Sequence, residues 1–247
     1  MFMKKTAISL IIPAYNEEKL IYRTLLSVSK AIRKFEFETN EKVELIVVDN
    51  ASTDRTVEIA KRFDATIVNE ERHIIAAVRN AGAKVAQSDI LCFLDADSEV
   101  SENIFILVYE AMQSGNYIGG GVKMMLDQPG FFFKGMELGA QIMSQLVGIS
   151  AVLIYTKKET FENLGGFDER YFAGEDLKFI FRLKKESKKA RLKFKNIYNG
   201  HVITSARKFN VMTINDMVLF ARLLLNNKLM TKQDLCGSWY DLSKRGE

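Results

Sequence analysis

The chain is poor in the residues that build small stapled or metal-closed folds. It has two cysteines, two prolines, two histidines and one tryptophan in 247 residues. Two cysteines make no disulfide framework, and a reducing cytoplasm is the simplest compartment. Cys92 sits in an apolar run and Cys236 near the C-terminus. There is no CxxC and no HExxH, so no zinc site is signalled. No GxGxxG follows the first apolar run, which counts against a nicotinamide dehydrogenase. Residues 11–18 carry two acids and no glycine, unlike the Gly-rich basic loop of a nucleotidyltransferase. No internal repeat or low-complexity segment occurs, and 47% hydrophobic content supplies one sizeable core.

Long apolar runs are also scarce. The N-terminal lysines and AISLII superficially resemble a leader, but the run stops at Pro13 and Asn16 with no small-residue cleavage pattern. A first strand is the better reading. The longest uncharged run, Leu138–Thr156, has 19 residues but includes two glutamines, two serines and two glycines. That is long enough to span a bilayer and too polar to be a good span.

Charge is uneven. Residues 182–195 hold eight basic residues and one acid, +7 out of a net +4, so the rest of the chain sums to −3. Such a stretch is either a solvated helix face or a surface for an anionic membrane or acceptor. No nucleic-acid recognition motif accompanies it.

Strand-like and helix-like patterns alternate through the first hundred residues. The apolar strands are 7–12, 43–48, 65–68 and 90–94, and the helices between them are 18–35, 56–63 and 76–86. This alternation predicts an α/β fold with a mostly parallel central sheet flanked by helices. Ligands of such sheets sit at the carboxyl ends of the strands, where Pro13, Asp49 and Asp95 fall. Helices are also expected over 101–112, 131–146, 175–189 and 213–230, and strands over 117–125, 149–155 and 191–197. Ser52 and Asp54 occupy helix-cap positions before Thr56.

Three clusters carry chemistry. Asp95 and Asp97 flank Ala96 at a strand end, where two carboxylates can converge on a hard cation; capping of the next helix is the alternative. Asp49 can accept hydrogen bonds from a base or ribose, or simply organise its turn. Glu175 and Asp176 open a helix, where the dipole favours acids; one of them can also serve as a general base.

Taken together, IIPAYNEE (11–18), VVDNASTD (47–54), RNAGAKVAQSDILCFLDAD (79–97) and GGFDERYFAGEDLKF (165–179) resemble the inverting glycosyltransferases of family 2. The resemblance covers about residues 7–208. It implies a single GT-A, Rossmann-like domain over 1–247: a nucleotide-binding half (1–100), an acceptor and catalytic half (101–208) and a C-terminal helical extension (209–247). It implies that Pro13, Ala14, Tyr15 and Glu17 cradle base and ribose, and that Asp49 reads the base. Arg79, Asp95 and Ala96 belong to the donor side. Asp95 and Asp97 match the DxD pair that binds Mn2+ or Mg2+, with Asp97 the more direct ligand. Asp176 matches the catalytic base, with Glu175 beside it.

The sequence departs from the pattern at Asn50, where a second acid is usual. It also has no QxxRW, which points to transfer of one sugar over processive synthesis. His201 is a candidate third metal ligand, with a plain core or surface histidine as the alternative. Arg207 and Lys208 either neutralise the leaving diphosphate or form structural ion pairs. Residues 131–133, Met136, Leu138 and Ile142 are a candidate apolar wall, or core. The expected partners are a UDP- or GDP-linked sugar donor, an unnamed acceptor, an anionic membrane touched through 182–195, and a second copy in a homodimer. The competing function is a non-catalytic nucleotide-sugar-binding module, which the intact acids disfavour.

Overall fold

The computed structural model describes residues 6–128, 135 and 152–207. The expected helices at 131–146 and 213–230, the apolar wall, most of the uncharged run, Lys208, Cys236 and the C-terminal extension lie outside the described residues.

Eight strands form one sheet: β1 (Thr6–Ala14), β2 (Lys42–Asp49), β3 (Thr66–Asn69), β4 (Ile90–Leu94), β5 (Ser98–Val100), β6 (Tyr117–Leu126), β7 (Leu153–Lys157) and β8 (Lys193–Thr204). Among the described residues six helices accompany them: α1 (Ile21–Thr39), α2 (Thr56–Lys61), α3 (Ile75–Val85), α4 (Ile104–Gln113), α5 (Lys158–Asn163) and α6 (Glu175–Lys189). The strand order is β3-β2-β1-β4-β7-β6-β8-β5. β3, β2, β1 and β4 run parallel, as the alternation predicts. β7 pairs antiparallel with both β4 and β6, and β5 antiparallel with β8. β6 and β8 are parallel to each other.

The central strands read as nearly unbroken apolar runs because both of their faces are covered. On β1, Ile8, Leu10 and Ile12 join the core beneath α1 and α4, while Ile11 joins the core beneath α3 and α6. β4 divides in the same way, with Cys92 and Leu94 on one side and Leu91 and Phe93 on the other. Gly82 lets α3 lie close on the sheet: a Cβ there would meet Ile11 Cγ2 at 2.5 Å and Val48 Cγ2 at 2.8 Å. Among the described residues no helix is long and apolar enough to cross a membrane, and residues 153–156 of the uncharged run lie in β7.

Candidate active site

The parallel half delivers three chain segments to one sheet edge. The Asn50 N–H donates to Ala14 O (2.9 Å), so the ends of β1 and β2 are tied just beyond their ladder. Asp49 is buried, and its Oδ1 accepts from the Ser52 N–H at 3.1 Å. Ser52 does not cap the helix as expected; its Oγ accepts from the Asn16 N–H (3.1 Å). Asp54, two residues before α2 begins, accepts from the Thr56 hydroxyl (2.5 Å) and N–H (2.9 Å), and also from the Glu18 N–H (3.0 Å). Those bonds hold its carboxyl below the usual range, against the opposing effect of burial. The segment Ala14 to Glu18 is thereby tied to the turn after β2, with the Glu17 N–H donating to Thr56 Oγ1 (2.7 Å).

Asn50, the departure from the family pattern, has a structural reason. Its amide nitrogen donates to the carbonyls of Glu70 (2.5 Å) and Arg72 (2.8 Å), clamping the loop after β3. A carboxylate has no proton to offer either carbonyl. Asn50 Oδ1 lies 3.3 Å from His73 Nδ1, and the His73 ring packs at 5.0 Å from that of Tyr15. Sequence reasoning assigned His73 no role, because no motif surrounds it; the contact arises from the loop that Asn50 folds.

The second half reaches the same edge through α3. Asn80 donates to Phe167 O (2.9 Å) and accepts from the Phe167 N–H (2.9 Å), holding the GGFD turn. Gly166 needs its positive φ of 66°, and a Cβ there would lie 2.7 Å from Asn80 Oδ1. Phe167 then packs with Phe93, Phe161 and Phe179 at centroid separations of 4.8–5.6 Å, fixing α6 against β4. This packing carries Glu175 and Asp176, at the start of α6, towards the end of β4.

Arg79 closes the arrangement. It is buried beneath the Phe167 ring, 5.4 Å from guanidinium to centroid. Its Nη2 donates to Asp95 Oδ1 at 2.7 Å, and its Nη1 donates to Glu175 Oε1. Burial works against its charge, but Asp95 and Glu175 outweigh that and keep it protonated. Arg79 therefore stands between the acids and bridges them. Burial pushes the Glu175 carboxyl up to about 7, with Arg79 opposing and Asp176 adding to the rise. Asp176 is only half-buried, and burial raises its carboxyl too, again opposed by Arg79. Its Oδ1 accepts the Leu177 N–H at 2.6 Å.

Ala96 is buried, and its carbonyl accepts from Thr24 Oγ1 (2.7 Å), which pins the turn between the two aspartates. Asp97 is 6% exposed, yet among the described residues its carboxylate has only long contacts: Ser98 Oγ at 3.5 Å and Arg207 Nη2 at 3.6 Å. A buried carboxylate so weakly met, beside Asp95, suits a hard divalent cation of the Mn2+ or Mg2+ kind. Among the described residues no group of three or more His, Cys, Asp or Glu could hold a metal.

His201 is not brought to this pair. It lies beside Ser101, with its N–H on Ser101 Oγ (3.1 Å) and its carbonyl accepting from the Ser101 N–H (3.0 Å). The residue of β8's exit that meets Asp97 is Ser205, whose N–H donates to Asp97 O at 3.2 Å. Four residues at about 3.3 Å each separate the two positions by roughly 13 Å along the strand. Arg207 does reach the site, where its Nη2 donates to the Glu17 carboxylate (2.7 Å). The late segment thus contributes a cation next to Asp97, and Glu17 holds it.

The fold is of the GT-A type. A sequence model of glycosyl transferase family 2 matches residues 9–166, more than half of the chain, and the chain belongs to that family. It is 28% identical over 192 residues to an uncharacterized glycosyltransferase of Haemophilus influenzae, covering 72% of this chain and 62% of that protein. It is 26% identical over 189 residues to glycosyltransferase AglE of Haloferax volcanii, covering 71% of this chain and 60% of that one. The chain thus spans about three-fifths of the length of these two relatives. It resembles the solved structure of S. aureus TarS 1-349 in complex with UDP, with a TM-score of 0.65, 18% identity, and coverage of 83% of this chain and 62% of that one. It also resembles glucosyl-3-phosphoglycerate synthase of Mycobacterium tuberculosis in complex with Mn2+, UDP and phosphoglyceric acid. That TM-score is 0.61 at 18% identity, covering 94% of this chain and 79% of that one.

Proposed function

We propose that the chain is an inverting, divalent-metal-dependent glycosyltransferase that moves one sugar from a UDP-linked donor to an acceptor hydroxyl. The observation that carries this is Arg79, which joins Asp95 at the end of β4 to Glu175 at the start of α6. Donor-side and acceptor-side acids thus form one electrostatic unit. The UDP and Mn2+ in structurally similar proteins support the choice of nucleotide and cation.

In this reading Pro13, Ala14, Tyr15 and Glu17 line the base and ribose side, and Asp49 accepts hydrogen bonds from the nucleoside. Asp97, with Asp95, holds Mn2+ or Mg2+. When bound, the cation supplies Lewis-acid stabilisation of the departing diphosphate. Arg207, steered by Glu17, sets a second positive charge beside Asp97, where negative charge grows as the sugar–phosphate bond breaks. Asp176 takes the proton of the acceptor hydroxyl as its oxygen bonds to the anomeric carbon from the face opposite the diphosphate. Its raised pKa strengthens it as a base. Glu175 and Arg79 are positioning residues that hold the start of α6 against the DxD turn.

The test is Asp176→Asn, read by UDP release from UDP-glucose and UDP-N-acetylglucosamine, with water standing in for the acceptor. Loss of a general base should cost about 100-fold or more in turnover. UDP affinity by calorimetry should change less than about two-fold, since the amide keeps the size and place of the side chain. Near-normal turnover would remove Asp176 from the mechanism. No release above background by the native protein with any sugar nucleotide would leave the non-catalytic binding module.

A further inference from the structure

The strongest feature that the transfer reaction does not use is the outer face of α6. At about 100° per residue, Phe181, Lys185 and Lys188 fall on one stripe, with Lys178 and Lys184 on its flanks. The opposite face of the helix, with Phe179, Ile180 and Leu183, is buried in the core. Phe181 is 53% exposed, and Lys185 and Lys188 are exposed. Among the described residues neither lysine has an acidic partner. The acid nearby, Glu186, is taken by Lys189 at 2.8 Å. Burial and the neighbouring Lys188 both hold Lys184 below the ordinary lysine range. The Lys184 ammonium also sits 5.7 Å from the Phe194 ring centroid.

A solvated helix normally intersperses its lysines with acids at i+3 or i+4. This stripe sets the exposed Lys185 and Lys188 beside one exposed aromatic ring. That is the make-up of a helix lying in a membrane interface, with basic side chains on lipid phosphates and an apolar side chain at the headgroup boundary.

We infer that the outer face of α6 docks on an anionic phospholipid membrane, with Lys185 and Lys188 on the headgroups and Phe181 as the apolar anchor. This surface shares a helix with the acid pair. Lys185 and Lys188 lie roughly 13–18 Å from Asp176 along the axis, at about 1.5 Å per residue. Docking there would hold the site at a fixed short distance from the lipid surface.

The experiment is co-sedimentation of the full chain with vesicles of phosphatidylcholine alone and with phosphatidylglycerol added. It reads lipid partitioning and needs no turnover, so its outcome is separate from the transferase assignment. Binding is expected only with the anionic vesicles and should weaken steeply with added salt. Each lysine near such a surface contributes about a five-fold change in partitioning, so Lys185→Gln with Lys188→Gln should lose about 25-fold. Phe181→Ser should lose several-fold with little salt dependence. All three positions are exposed, so thermal midpoints should hold. The inference is overturned by equal sedimentation with neutral vesicles, or by a double variant that sediments like the native chain. Tighter binding to duplex oligonucleotide than to anionic vesicles at equal phosphate would replace the membrane with nucleic acid.

Discussion

Glu175→Gln should remove a pH dependence of stability that the native chain carries between about pH 4.5 and 7. The Glu175 carboxyl has an ordinary value of 4.5, and burial raises it to about 7 despite Arg79. Across that window the folded chain binds a proton that the unfolded chain has released. The contribution of Glu175 to stability is therefore full below pH 4.5 and is lost as the pH rises through about 7. The gap, at about 1.4 kcal/mol per pH unit, amounts to roughly 3 kcal/mol. Glutamine keeps the shape and never ionises. Relative to the native chain, the variant should thus gain roughly 3 kcal/mol on going from pH 4.5 to pH 8. Urea denaturation followed by circular dichroism at several pH values measures this difference. Glu175 and Asp176 interact, so the comparison reads the proton uptake of the pair and its loss in the variant. Parallel stability curves for the two proteins would refute the reasoning: Glu175 would then not be a buried acid whose desolvation outweighs Arg79.

Arg79→Met leaves Asp95 and Glu175 without their shared cation, and breaking such a buried pair should cost about 3–5 kcal/mol in urea denaturation at pH 8. A loss below about 1 kcal/mol would contradict the bridge. Asn50→Asp removes the two donors that clamp the carbonyls of Glu70 and Arg72, and about 2 kcal/mol or more should go with them. An unchanged thermal midpoint would show that the clamp is not needed. Gly82→Ala puts a methyl group against Ile11 and Val48 and should cost about 1–3 kcal/mol through overpacking. A neutral result would mean that α3 sits further from the sheet.

The parallel half was legible because β1, β2 and β4 are apolar on both faces, and their ends coincide with a proline or an acid. α6 was legible to the residue, since Leu183, Ile180 and Phe179 keep helical spacing behind an acidic first turn. The antiparallel insertion of β7 between β4 and β6 was not legible, because strand direction leaves no mark in hydrophobic periodicity. β5 is three residues long and exists through its pairing with β8, which is too short to show a period. β8 runs on to Thr204, past Asn199 and Gly200, where composition suggested a stop at 197.

Sequence pattern set Asp95 after β4 and Glu175 at the start of α6, but not what joins them. Arg79 reads as a donor-side residue in its motif, and only the packing of Phe167 and α6 against β4 reveals it as the bridge. Asn80 and His73 act through loops whose partners lie 87 and 23 residues away, which no local pattern encodes. The resemblance to family 2 made His201 a metal candidate. The three residues of β5 set it beside Ser101 at the far end, while Arg207 took the place next to Asp97.

The most direct test of the central claim is a thermal-shift and calorimetric titration of the native chain and Asp97→Asn with UDP, GDP, CMP and dTDP, each with Mn2+ and with EDTA. The account predicts that UDP with Mn2+ stabilises the native chain, that EDTA removes most of the effect, and that Asp97→Asn loses the metal-dependent part. Stabilisation by no nucleotide, or by UDP equally with and without Mn2+ in both proteins, would contradict it.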